Sequence, residues 1–217
     1  MRIPLRAMSL WLLAACMPCF AAELNVSVLD PAGHGSAGFV LVAEPQFELA
    51  VKRVSHTVIM DQRQKQFVPN IVVIQTGTGI DFPNSDQIEH QVYSFSPAKT
   101  FQLSLYAGHK YPPIVFDRAG LVVVGCNIHD QMIGYIYVTD SPYFARSDEA
   151  GQWAVHDLPP GNYRVTAWHP RMQESTPAPL QTSVTVAEGT PASAVFHLTK
   201  SLRPSNEHGG DKRWIDY

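Results

Sequence analysis

Leu121-Val122-Val123-Val124-Gly125-Cys126-Asn127-Ile128-His129-Asp130-Gln131-Met132-Ile133-Gly134-Tyr135-Ile136-Tyr137-Val138 is the stretch on which the fold turns. Its two ends, 121–124 and 135–138, are β-branched and aromatic runs that read as strands. The polar connection between them carries Cys126, His129 and Met132 at three-residue intervals. Outward from it the same texture continues. Alternation marks Leu24/Val26/Val28, Phe101/Leu103/Leu105 and Tyr163/Val165/Ala167, and short apolar runs occupy Phe39–Ala43 and Ile71–Ile74. Pro31-Ala32-Gly33, Thr76-Gly77-Thr78-Gly79, Ala107-Gly108 and Leu158-Pro159-Pro160-Gly161 separate them as turns. No helical period runs beyond two turns. The chain reads as all-β, built as sandwiches or barrels.

Composition agrees and sets limits. Of 217 residues, 45% are apolar and 10% aromatic, which excludes a disordered chain. Only 16% are charged and the net charge is −3, which excludes a polybasic nucleic-acid binder. Arg2 and Arg6 precede an apolar run from Ala7 to Phe20, followed by small residues and Glu23, so residues 1–22 read as a secretory signal peptide. Leu13-Ala14-Ala15-Cys16 also has the form of a lipobox, which would leave Cys16 lipidated. Soluble export is preferred, because the residues after Cys16 stay apolar until Glu23. Either reading places the protein outside the cytoplasm, most simply in a bacterial periplasm. Cleavage after Ala21 or Ala22 leaves Cys126 as the one thiol, without an intrachain partner in an oxidising compartment. A metal is the leading candidate to occupy it.

The donors for a metal are close at hand. Upstream, Asp81-Phe82-Pro83-Asn84-Ser85-Asp86-Gln87-Ile88-Glu89-His90 leads into a strand, Val92-Tyr93-Ser94-Phe95. A thiolate, two imidazoles and a thioether form the ligand set of a blue-copper site, trigonal His₂Cys with a long axial Met. One loop offers three donors and a neighbouring strand the fourth, which holds one geometry in both oxidation states.

From about residue 60 to 140 the chain resembles the cupredoxins, most of all the amicyanin/plastocyanin type and exported proteins of the methylamine-utilisation type. Phe67-Val68-Pro69, Ile71-Val72-Val73-Ile74, Gly77-Thr78-Gly79-Ile80-Asp81-Phe82 and Asn84-Ser85-Asp86 match the family's approach to its first histidine. Cys126-x-x-His129-x-x-Met132 has the spacing of the amicyanin ligand loop, and Met132-x-Gly134-x-Ile136-x-Val138 matches the closing strand. The resemblance implies His90, Cys126, His129 and Met132 as ligands of one type 1 copper, with Phe116–Gly120 as the turn before the cysteine strand. There are departures: Gln91 follows His90 where Asn is common, Asp130 follows His129 where Pro is common, and Gly125 precedes Cys126 where a bulky residue is frequent.

The flanks carry a second pattern. Val26–Gly33 with Gly38–Val42, and Ser147–Trp153 with Leu158–Val165, resemble the carboxypeptidase regulatory-like, or transthyretin-like, sandwich, whose "D-x-x-G" turn and "L-P-x-G-x-Y" hairpin recur in order. The expected organisation is a signal peptide at 1–22, first strands of this sandwich at 23–55, a cupredoxin Greek-key sandwich at 56–142, the remainder of the outer sandwich at 143–200 and a tail at 201–217. The cupredoxin unit is inserted in, or adjacent to, the smaller sandwich.

The functional expectation is a periplasmic, monomeric single-electron carrier. Its partners, by resemblance, would be a c-type cytochrome or a periplasmic dehydrogenase docking near His129, Ile128 and Ile133; no nucleic acid is expected, and no transmembrane helix in the mature chain. Two other readings remain open. One is a copper-binding or delivery protein without a redox partner, and the other is an interaction module whose copper site is vestigial. Zinc held by Cys126, His90, His129 and Asp130 is the other metal considered. A c-type haem is excluded, since no Cys-x-x-Cys-His occurs. A Cys126/His129 nucleophile lacks a visible base-orienting group and oxyanion site. With no His-x-His in the chain, the protein is expected not to be an enzyme. The remaining histidines, His34, His56, His109, His156, His197 and His208, read as surface residues. His169 reads as structural, and Trp153, Tyr163 and Trp168 as sandwich core.

Overall fold

The computed structural model describes residues 22–50, 56–173 and 179–204. Residues 1–21, with Cys16 and Cys19 and almost all of the segment expected from sequence to be a signal peptide, and residues 205–217, with His208, lie outside them. Among the described residues the protein is all-β, with no helix. No helix long and apolar enough to cross a membrane occurs among them.

The chain begins with β1 (Ala22–Leu29) and β2 (Val40–Pro45). A central run follows: β3 (Thr57–Ile59), β4 (Asp61–Arg63), β5 (Gln66–Val68), β6 (Ile71–Gln75), β7 (Thr78–Asp81), β8 (His90–Ser96), β9 (Lys99–Tyr106), β10 (Ile114–Phe116), β11 (Gly120–Gly125) and β12 (Ile133–Thr139). The last strands are β13 (Phe144–Arg146), β14 (Gln152–Leu158), β15 (Gly161–Trp168), β16 (Leu180–Val186) and β17 (Ala192–His197).

Strand order shows which parts of the chain belong together. β1 lies between β14, antiparallel to it, and β17, parallel to it. A second sheet has the order β13-β2-β15-β16. Both sheets therefore combine the first 45 residues with residues after 143. Leu24, Val26 and Val28 alternate inward as the sequence predicts and meet Leu41, Tyr163 and Val165 in one core. Between these pieces the central run forms its own pair of sheets, β6-β12-β11-β8-β9 and β10-β7-β3, with the β4–β5 hairpin beside them. Their core is built on Phe67, Phe82, Val92, Phe116, Val124 and Ile136.

A third apolar cluster joins the two. Val40, Val42 and Trp168 pack against Ile71, with Tyr135 and Tyr137 beside them. The parity of a strand explains this. On β15, Tyr163, Val165 and Ala167 face the outer core, so Trp168 lies on the opposite face, against Tyr135 and Tyr137 at ring distances of 5.8 and 5.9 Å. The expectation that Trp168 fills its own sandwich core is thus corrected: it fills the seam. The continuous apolar run at Phe39–Ala43 has the same origin, since β2 is buried on both faces. The β12–β13 connection is pinned as well. Ser141 Oγ donates to the Ala43 carbonyl at 2.6 Å, and Thr76 Oγ1 donates to the Asp140 carboxylate at 2.8 Å.

One alternation breaks. Phe101 and Leu103 face inward, yet Leu105 is exposed and Tyr106 is buried in its place. His90 pairs with Tyr106 while Val92 pairs with Leu103, so β9 carries one extra residue there. Such a bulge shifts the parity of everything beyond it. It places Tyr106 opposite His90 across the β8–β9 pair.

Candidate metal centre

The elements converge at one end of the central core. β11 ends at Gly125, and residues 126–132 turn back into β12. Within that turn the Met132 N–H donates to the His129 carbonyl at 2.9 Å. His90 opens β8, the strand beside β11. The ligand-type atoms of His90, Cys126 and His129 lie within 4.8 Å of one another. Cys126 Sγ is 3.9 Å from His90 Nδ1, and the rings of His90 and His129 meet edge to face at 5.0 Å. Donors bound to one ion at roughly 2.0–2.3 Å each stand about 3–4 Å apart, so Cys126 and His90 are at ligand spacing and His129 is within reach of the same ion.

Burial sharpens the case. Cys126, a free thiol, is buried, as are His90 and Met132. Met132 lines the same open cleft as Cys126, about 340 Å³ in volume, together with Tyr93, Phe95, Val123 and Ile133. His129 Nδ1 is buried without a hydrogen-bond partner. An orphaned buried nitrogen costs stability unless something satisfies it, and a cation among these donors would do so. Burial, then the neighbouring His90 and Lys65, push the His129 pKa below the ordinary histidine value. A neutral imidazole is the form that ligates metal. Asp130, considered above as a zinc ligand, is exposed and stands outside the group brought together.

Two features of the surroundings were not assigned roles from sequence. Asp86 Oδ2 lies 2.7 Å from His90 Nε2. Burial penalises the Asp86 charge, but the amides of Lys65 and Gln64 and the His90 ring outweigh that and hold its carboxyl below the usual range. The sequence signal was an acid four residues before the histidine. The second is Tyr93, paired across the sheet with Gly125. A Cβ on Gly125 would stand 3.1 Å from the Tyr93 phenol, so the ring from β8 fills the space a bulky residue before the cysteine would need.

The other histidines divide as the sequence suggests. His34, His109 and His156 are exposed and lie beside Asp30, Asp81 and Glu23. His169 is buried, its ring tilted against Phe39 at 5.2 Å, with Nδ1 accepting the Arg171 N–H.

No family model and no curated protein matches the chain. Among solved structures it is similar to a purple cupredoxin from Nitrosopumilus maritimus, 19% identical over 38% of this chain and 98% of that one, with a TM-score of 0.34. A reduced amicyanin variant is 15% identical over 38% of this chain and 82% of its own, with a TM-score of 0.36. A copper-containing nitrite reductase from Thermus scotoductus SA-01 is 24% identical over 44% of this chain and 25% of its own, with a TM-score of 0.35. This last finding corrects one expectation. The lack of a His-x-His motif predicts a non-enzyme, yet an enzyme stands among the similar structures. A motif missing from one stretch does not separate a chain from enzymes, because one fold hosts several chemistries.

Proposed function

We propose that the protein is a type 1 copper protein that carries single electrons between redox partners outside the cytoplasm. The observation that carries this reading is the convergence of His90, Cys126 and His129 at ligand spacing beside buried Met132. Soft thiolate and thioether donors with two imidazoles suit copper over harder cations. Copper held there would supply one-electron chemistry, alternating between Cu(II) and Cu(I). The protein's own contribution is rigidity. His90 is fixed by β8 and Asp86, while Cys126, His129 and Met132 are fixed between two paired strands, so little has to move when the charge changes.

The half-buried His129 ring has the exposed Ile128 and Ile133 nearby in the chain, at 50% and 43% exposure. A c-type cytochrome or a periplasmic dehydrogenase docking on that apolar face would approach the ring edge. In this reading residues 56–142 are the cupredoxin unit, and the flanks, 23–55 with 143–200, are a transthyretin-like sandwich enclosing it.

The test is absorption and EPR spectroscopy after Cu(II) loading of the exported chain. An intense blue thiolate-to-copper band with narrow hyperfine splitting is expected. A protein that binds metal but stays pale points to zinc or to copper handling, and one that binds none returns the outer sandwich to first place.

A further inference from the structure

The Asp86 carboxylate is held from three sides. The β4–β5 hairpin turns through Gln64 and Lys65, both in the left-handed region at φ 52° and 61°. That conformation is unusual for residues other than glycine and asparagine. It aims two successive amides at one carboxylate: Gln64 N–H donates to Asp86 Oδ1 at 2.6 Å, and Lys65 N–H donates to Oδ2 at 2.9 Å. Asn84 Oδ1 accepts the Asp86 N–H at 3.0 Å, and Asn84 Nδ2 is itself anchored on the Tyr106 and Ile88 carbonyls. Through Tyr106 this anchor reaches the bulge in β9. The third contact of the carboxylate is His90 Nε2 at 2.7 Å, while His90 Nδ1 faces Cys126 Sγ.

We infer that Asp86 is a positioning residue: its carboxylate fixes His90 as the Nε2–H tautomer, presents the bare Nδ1 to the metal, and biases the centre toward Cu(II). A carboxylate accepts hydrogen bonds and cannot donate one, so in the neutral ring the proton between the two groups sits on His90 Nε2 and the lone pair is on Nδ1. The negative charge makes the imidazole a stronger donor, which favours the more highly charged metal state. The tautomer stands without the copper reading of the site; the presentation to a metal and the bias toward Cu(II) rest on it.

The experiment has a metal-free arm and a copper arm. In metal-free protein, ¹⁵N NMR of the His90 ring is expected to show Nε2 protonated and Nδ1 bare. Asp86→Ala releases the ring to the mixed tautomers of a free neutral imidazole, with a detectable Nδ1–H fraction. In copper-loaded protein, Asp86→Asn keeps the shape and removes the charge. Cu(II) binding then weakens about 10–100-fold and Cu(I) binding less. Each tenfold difference between the two losses raises the reduction potential by about 59 mV. Asp86→Glu, which keeps the charge, brings the potential back toward the native value. If Asp86 only braced the hairpin, the variants would lose stability while tautomer and potential stayed native. A His90 ring still fixed as Nε2–H in Asp86→Ala overturns the inference, as does a native potential in Asp86→Asn. Should the native chain take up no copper while its His90 is Nε2–H, the copper reading fails and the bias toward Cu(II) with it. The tautomer assignment then stands on the metal-free arm.

Discussion

At the scale of single residues, Cys126 and His169 show two different consequences of burial. Both are buried, but Cys126 faces a histidine nitrogen and His169 faces the Phe39 ring and two arginines. For Cys126 the consequence is chemical. Replacing it by Ser exchanges a soft thiolate for a hydroxyl that stays protonated at neutral pH, so Cys126→Ser is expected to lose the intense visible band of the Cu(II)-loaded protein. For His169 the consequence is linkage. Burial, then Arg171 and Arg146, lower its pKa from 6.5 to about 3. Between those values the unfolded chain binds a proton that the folded chain does not, so stability rises with pH across the window and falls on acidification. Urea midpoints should therefore drop as pH goes from 7 to 4. His169→Asn, which keeps an acceptor for the Arg171 N–H, should flatten that slope. An equal slope in both proteins would remove His169 as the cause.

At the scale of elements, the site depends on how closely three strands approach. Gly134 on β12 sits where a Cβ would come 2.9 Å from Val124 Cγ2 on β11 and 3.1 Å from Phe67 Cβ on β5. Gly134→Ala should cost about 1–3 kcal/mol through overpacking, read as a shift in the urea midpoint. Gly134 is two residues from Met132, so the same variant should also perturb the copper spectrum. An unchanged spectrum would mean that the loop is insulated from its strand. The bulge in β9 is the complementary device. One extra residue turns Leu105 outward and buries Tyr106 opposite His90, where Gln62 Nε2 donates to its hydroxyl at 2.6 Å and burial pushes its pKa up. Simple alternation in the sequence gives no warning of it, because a bulge is a relation between two strands.

At the scale of the whole molecule, the two sets of sheets share an apolar seam. Trp168 is its largest buried side chain, wedged against Tyr135 and Tyr137. Trp168→Ala should cost about 3–5 kcal/mol, as large aromatic deletions do. It should leave the copper spectrum intact, because none of His90, Cys126, His129 and Met132 belongs to that cluster. Calorimetry provides the check: weakened coupling is expected to split one unfolding transition into two, and a single transition at native temperature would mean that the seam contributes little. β1 binds the molecule together in another way, since its partners β14 and β17 lie more than a hundred residues away. Pairing β1 with β14 and β2 with β15 closes a loop that contains the whole central run.

The sequence by itself determined the class of fold and the chemistry of the donors. Period-two alternation and frequent turns specify strands because a strand's side chains alternate by covalent geometry alone. Cys126, His129 and Met132 could be read together because seven residues of chain keep them local. Only the tertiary structure decided how His90 meets them, that Asp86 grips its far nitrogen, that Tyr93 lies over Gly125, and that Trp168 faces the seam. The Asp86 contact depends on the β4–β5 turn that holds its carboxylate, and the others depend on register between strands distant in the chain. Register is set by the sum of packing over whole sheets, which no single stretch of residues contains.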